Sequence, residues 1–100
     1  MRLFVLGEEE AVLGFSLTGV RGTVAETRED VERGLGQVLD DASVGVLLIT
    51  ADAADLMRED VDRLKIAAEL PLILEIPSSK GVSSEISIRR FISEAIGVSL

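Results

Sequence analysis

The sequence predicts an α/β fold, a four-stranded parallel sheet in the order 2-1-3-4 with helices on both faces. Three observations carry this. Short apolar runs at residues 3–6, 44–49 and 72–76, with a weaker one at 23–25, have the length of buried strands. The stretches between them show helical spacing and are long enough for crossover helices. Hydrophobic residues make up 47% of the chain, yet the only aromatics are Phe4, Phe15 and Phe91, so the core is aliphatic, as in strands buried between helical layers.

Leu3, Phe4, Val5 and Leu6 form the first strand, which Gly7 ends. Glu8, Glu9 and Glu10 then open a helix, where acids suit the positive end of the helix dipole. Val12, Leu13, Phe15 and Leu17 carry it to Gly19, a C-terminal cap, with Gly14 unusual inside it. The strand at 23–25 is weakly hydrophobic, as suits a sheet edge. Thr27 and Asp30 have the spacing of a capping box, and Val31, Leu35, Val38 and Leu39 form a helical stripe behind it. Gly34 and Gly36 each weaken this helix by about 1 kcal/mol relative to alanine. Residues 44–49 are the most apolar stretch and make the central strand. A third helix is expected over about 52–69, capped by Asp52, with Met57, Val61, Leu64 and Ala68 on one face and Pro71 ending it. After the fourth strand and Pro77 comes a polar loop; Ile88, Phe91, Ile92 and Ala95 then mark a last helix, capped by Gly97.

The order β-α-β-α-β-α-β-α makes each connection a right-handed helical crossover between parallel strands. One domain, residues 1–100, accommodates all of it. The pattern looks like a truncated flavodoxin or receiver fold.

Composition excludes several classes of function. The net charge of −8 disfavours nucleic acid and anionic membrane as direct partners. Residues 1–70 hold 15 acids and 7 bases, whereas residues 71–100 hold three of each, with Lys80, Arg89 and Arg90 close together. The acidic body and neutral last third read either as ordinary solvated surface or as a C-terminal docking region. Without cysteine or histidine there is no thiolate chemistry, no disulfide, and neither the commonest metal ligand nor the commonest general base. The apolar run after Arg2 stops at Gly7, too soon for a secretory signal, and no stretch nears the roughly 20 apolar residues that span a bilayer. A cytoplasmic location is the expectation.

In such folds ligands sit beyond the C-terminal ends of the strands. Gly14 and Gly19 have the spacing of a phosphate loop, but Val20 and Arg21 stand where its Lys and hydroxyl residue belong, and the pair lies within and after a helix. Glu8, Glu9 and Glu10 would repel a phosphate after the first strand. A receiver-type phosphoacceptor matches superficially in Glu8, Glu9 and Lys80, but Ile49 and Thr50 end the strand where its aspartate should stand. Glu8, Glu9, Glu10 and Asp52 as a metal site compete with their simpler role as helix-dipole partners, which is preferred. No catalytic residue, cofactor or metal is expected, and a binding role follows.

Residues 1–7, the acids after them and the segment Val12-Leu13-Gly14-Phe15-Ser16-Leu17-Thr18-Gly19-Val20 resemble the opening of the F subunit of the V/A-type rotary ATPases. That family shows a strand ending in glycine and then a Gly-Phe-Arg-Leu-Ala-Gly pattern; Ser16 and Thr18 here replace the Arg and Ala, which removes whatever contact that arginine makes. Residues 46–50, 74–78 and 88–98 resemble the family's third strand, its fourth strand with the following loop, and its closing helix. The resemblance spans the chain in order. It implies a non-catalytic component of the central stalk, bound to the coiled-coil D subunit of the rotor, helping to couple ATP hydrolysis or synthesis to ion translocation at the cytoplasmic side of a membrane complex. It also implies contact with the catalytic A/B hexamer through a C-terminal helix and tail, about 85–100, that can move. The alternatives are a receiver-like signalling domain and a stand-alone adaptor.

For a rotor part, Gly14, Phe15, Leu17 and Gly19 read as a docking surface where backbone approaches the partner and Phe15 projects as an anchor. Equally, Gly14 allows close helix–sheet packing and Phe15 fills the core. Glu75 reads as an edge charge facing solvent or a basic partner, and Ile76, Pro77, Ser78 and Lys80 as a loop that fits a coiled-coil groove or simply meets water. Arg89 and Arg90 complete the expected partner-binding set.

Overall fold

A computed structural model of the chain describes residues 2–67 and 70–78. The strands β1 (Arg2–Gly7), β2 (Arg21–Val24), β3 (Val44–Thr50) and β4 (Leu72–Ile76) form one sheet in the order β2-β1-β3-β4, all parallel. The helices α1 (Glu9–Ser16), α2 (Arg28–Leu39), α3 (Ala51–Leu56) and α4 (Arg58–Ala67) fill the crossovers. Fold class and strand order are therefore as the sequence predicts. The expected last helix, with Arg89, Arg90 and Gly97, and the loop residue Lys80 lie outside the described residues.

Strand alternation divides the core in two. Leu6, Leu47, Ile49 and Ile73 point to one side and pack with Val31, Leu35 and Val38 of α2, Ala53 and Ala54 of α3, Met57, and Val61 of α4. Val5, Leu48 and Ile76 point to the other side and pack with Ala11 and Phe15 of α1. Gly34, read from sequence only as a weak point of α2, is buried because α2 lies close on β1. A Cβ there would stand 2.4 Å from Cδ1 of Leu6.

Three boundaries differ from expectation. First, β2 starts at Arg21, pairing with Phe4, and ends at Val24; Ala25 lies beyond the strand, although its N–H still donates to the Gly7 carbonyl at 2.7 Å. Backbone pairing with β1 recruits Arg21 and Gly22, whose side chains give no strand signal. Second, the single helix expected over 52–69 is two. Met57 breaks it with φ −138° and ψ 50°, while its carbonyl accepts from the N–H of Val61 to start α4. Met57 stays in the core, and Arg58 beside it turns to the sheet. Third, Asp52 is not the cap of α3: the Thr50 hydroxyl accepts from the N–H of Ala53 at 3.3 Å, which puts Asp52 in the first turn.

The capping box of α2 forms with a displacement. Thr27 Oγ1 accepts from the Asp30 N–H at 3.1 Å, but the Asp30 carboxylate reaches back to the N–H of Glu26, at 3.2 Å. That bond is the first cause holding the Asp30 carboxyl below its ordinary range, aided by Thr27 and Arg33.

Candidate functional site

Two regions bear on function: the C-terminal rim of the sheet and the outer side of α1.

At the rim, the described side chains lie close together. Thr50 is fully buried, and a Cβ on Gly7 would stand 2.3 Å from its methyl group. Glu8 takes the N-cap position of α1 in extended conformation and is buried, leaving Glu9 and Glu10 in the first helical turn. Its carboxylate lies 3.2 and 3.3 Å from Ser78 Oγ, which also stands 2.8 Å from Oδ2 of Asp52. A serine hydroxyl carries one hydrogen, so at any moment it donates to one of the two acids, and the shorter distance favours Asp52. The rim is thus an acidic ledge crossed by Ser78. The third strand ends in buried Thr50, spent on capping α3, where a receiver would present its acceptor aspartate. Among the described residues no three His, Cys, Asp or Glu are placed to hold a metal ion, and no helix is long and apolar enough to cross a membrane.

The expected docking residues are spread over different environments. Phe15 is only 2% exposed and packs with Val5, Ala11, Leu48 and Ile76, so it is core and not a projecting anchor. Ile76 is likewise buried. Gly14 is half-buried, Pro77 is exposed and Ser78 belongs to the rim. Gly19 has φ +86°, as suits the turn after α1, and nothing lies within 4 Å of where a Cβ would stand. Leu17 is 82% exposed.

Leu13, four residues before Leu17 and 60% exposed, falls outside the docking set expected from sequence. Both pairs, Ala11 with Phe15 and Leu13 with Leu17, share the i, i+4 spacing that places residues on one helical face. The helix turns the first pair inward and the second outward. Only the aromatic bulk of Phe15 could have told them apart in the sequence.

Glu75 is no free edge charge. It lies on the α2–α4 side of β4, where the guanidinium of Arg58 and the ammonium of Lys65 donate to its carboxylate, Arg58 Nη2 at 3.3 Å from Oε2. Arg58 first and Lys65 second hold the Glu75 carboxyl below its ordinary range. The same contacts, with Asp55 and Asp62, raise the already high pKa of Arg58. Within the chain, Arg58 and Lys65 already engage the Glu75 carboxylate.

Comparison with known proteins supplies the family. Residues 3–92 match the family described as "ATP synthase (F/14-kDa) subunit". The A-type ATP synthase F subunit of Thermococcus kodakarensis is 36% identical, over all of this chain and 98% of its own length. The corresponding subunits of Methanothermobacter thermautotrophicus and Methanocorpusculum labreanum are 32% and 33% identical, covering 96% and 100% of this chain and 92% and 98% of their own lengths. Matched over residues 3–92 by the family model and along its length by these relatives, the chain belongs to the F-subunit family of the A-type ATP synthases.

Proposed function

We propose that this chain is a non-catalytic part of the central rotor, held by a coiled-coil D subunit through the outer side of α1. The observation that carries the reading is the pair Leu13 and Leu17, exposed one helical turn apart on a helix whose opposite side is locked into the core by Ala11 and Phe15. An apolar pair fixed on a rigid base suits the seam of a helical hairpin, where leucines enter spaces between facing side chains. Glu9 and Glu10, exposed one turn earlier, add an acidic margin that would steer a basic stripe on the shaft.

The rim supports the non-catalytic part of the reading. Glu8 and Asp52 crowd the place where a phosphate would bind, and Thr50 is committed to its helix. In this assignment the C-terminal region reaches toward the A/B hexamer, and the chain sits peripherally at the cytoplasmic side of the membrane complex. It thereby helps couple ATP hydrolysis or synthesis to ion movement.

Co-expression with the D subunit encoded in the same genome, followed by gel filtration, tests the assignment. A co-eluting 1:1 complex is expected. Separate elution of the two chains at micromolar concentration would contradict it.

A further inference from the structure

The third crossover breaks where its local sequence gives it no cause to. Residues 51–67 contain neither glycine nor proline. Ala53, Ala54, Met57, Val61 and Leu64 recur at the spacing of one helical face, and all five pack in a single core cluster. A continuous helix would keep that stripe whole. Instead Met57 takes φ −138° and ψ 50°, and its N–H donates to Ala54, three residues back and not four.

Two arginines grip the chain on either side of the break. The carbonyl of Leu56, which a continuous helix would give to the N–H of Asp60, accepts from Nη1 of Arg28 at 3.3 Å. Arg28 is the first residue of α2, so this contact ties the end of α3 to α2. Immediately past Met57, Arg58 turns to β4 and donates to Glu75, with Nη2 at 3.3 Å from Oε2. Lys65, two turns further along α4, donates to the same carboxylate. Asp55 and Asp62 pair with Arg58 from α3 and α4. α3 is thus anchored to α2, α4 is anchored to β4, and the pivot between them is Met57.

Neither anchor is strong. The Arg28 contact is exposed and the Arg58 side chain is 37% exposed, so water and salt screen both. Against them stand the helical hydrogen bonds that the broken form forgoes across the joint, each of modest net worth. Small opposing terms of similar size make an element with two accessible states.

We propose that Arg28 and the Arg58–Glu75 pair form an ionic lock that keeps the third crossover broken at Met57, and that its release fuses α3 and α4 into one helix over residues 51–67. The Leu56 carbonyl then passes from Arg28 to the N–H of Asp60, while the apolar stripe stays on the same face. The lock lies on the α2–α4 side of the sheet, across from Leu13 and Leu17 of α1. It goes beyond the rotor assignment, and either can fail without the other.

Amide hydrogen exchange of the full-length chain reads this change of partners at Asp60. In the broken form that N–H belongs to the first turn of α4, which has no acceptor within its own helix; in the fused form it donates to Leu56. The reference is Val61, whose N–H donates to Met57 in the broken form and keeps the same i−4 partner in the fused one. Relative to Val61, exchange at Asp60 is expected to slow at least about 10-fold in the double variant Arg28→Met with Glu75→Gln. A nuclear Overhauser contact from the Leu56 Hα to the Asp60 N–H should appear with it. Raising salt from about 0.05 to about 1 M should move the unaltered chain in the same direction by screening the lock. Unchanged exchange at Asp60 in the double variant would overturn the proposal and assign the break to the packing of α3 over the sheet. Equal protection of Asp60 in the unaltered chain at low salt would overturn it too. Should the double variant fold poorly, the salt series decides, and exchange at Asp60 that does not slow across it would refute the lock.

Discussion

The guanidinium of Arg58, at the first residue of α4, donates to both carboxylate oxygens of Glu75 in β4. Lys65 approaches the same carboxylate from one side, and Asp55 and Asp62 flank Arg58. This network ties the broken third crossover to the sheet edge. The half-exposed geometry limits its strength, because water and salt screen such pairs.

Glu75→Gln is accordingly expected to cost only about 1 kcal/mol at neutral pH and low salt, and less at high salt. The sign of the pH dependence follows from the depressed folded-state pKa of Glu75. The contribution is present above the ordinary carboxyl value of 4.5 and is lost as pH falls through the lower folded value. Urea titrations of the two proteins should therefore separate at pH 7 and converge at pH 2 to 3. A gap that persisted in acid would show that Glu75 acts by packing and not by charge.

Gly34 and Gly36 sit two residues apart in α2 yet should respond oppositely to alanine. At Gly36 nothing lies within 4 Å of a new Cβ, so Gly36→Ala should stabilise by about 0.5 to 1 kcal/mol through helix propensity. At Gly34 three atoms of Leu6 crowd the Cβ, at 2.4, 3.1 and 3.3 Å, and Leu6 is itself fully buried. Overpacking of about 1 to 3 kcal/mol exceeds the propensity gain, so Gly34→Ala should destabilise by about 1 kcal/mol. Thermal melts of the two variants give the comparison directly.

That pair also marks how far the sequence is legible. Its periodicity identifies α2 and its stripe, and the aliphatic runs identify β1, β3 and β4, because burial between two layers demands such patterns. What escapes is set by partners distant in the chain. The need for Gly34 comes from Leu6 in β1, and the break at Met57 comes with no glycine or proline, only with Arg58 turning toward Glu75. The inward choice of Phe15 over Leu17 depends on where α1 settles on the sheet, which local spacing does not encode.

Thr50 joins strand end, rim and helix start in one side chain, and Thr50→Val isolates its hydroxyl. The variant keeps the shape that fills the space over Gly7 but cannot accept the N–H of Ala53. Loss of a cap hydroxyl typically costs about 1 kcal/mol. Here the deserted N–H lies within the buried start of α3, which places the expected loss at about 1 to 2 kcal/mol. Amide hydrogen exchange should report faster opening at Ala53, with β1 little changed. An unaltered rate at Ala53 would mean that the hydroxyl is dispensable.

Phe15 and Leu17, two residues apart in sequence, should separate folding from assembly. Phe15→Ala empties a buried aromatic site and is expected to destabilise the isolated chain by about 3 kcal/mol. Leu17→Asp changes a side chain that is 82% exposed, so the isolated chain should stay within about 0.5 kcal/mol of its original stability. In the complex the order should reverse in meaning. An apolar anchor replaced by a charge commonly costs about 2 kcal/mol or more of binding, so Leu17→Asp should weaken association with the proposed coiled-coil partner by roughly 30-fold or more. Leu13→Asp should act in the same direction, because the two side chains are neighbours on one helical face. Calorimetric titration of both variants against the partner, at protein concentrations where each is folded, makes the measurement. Unchanged affinity in both would remove the outer side of α1 from the interface.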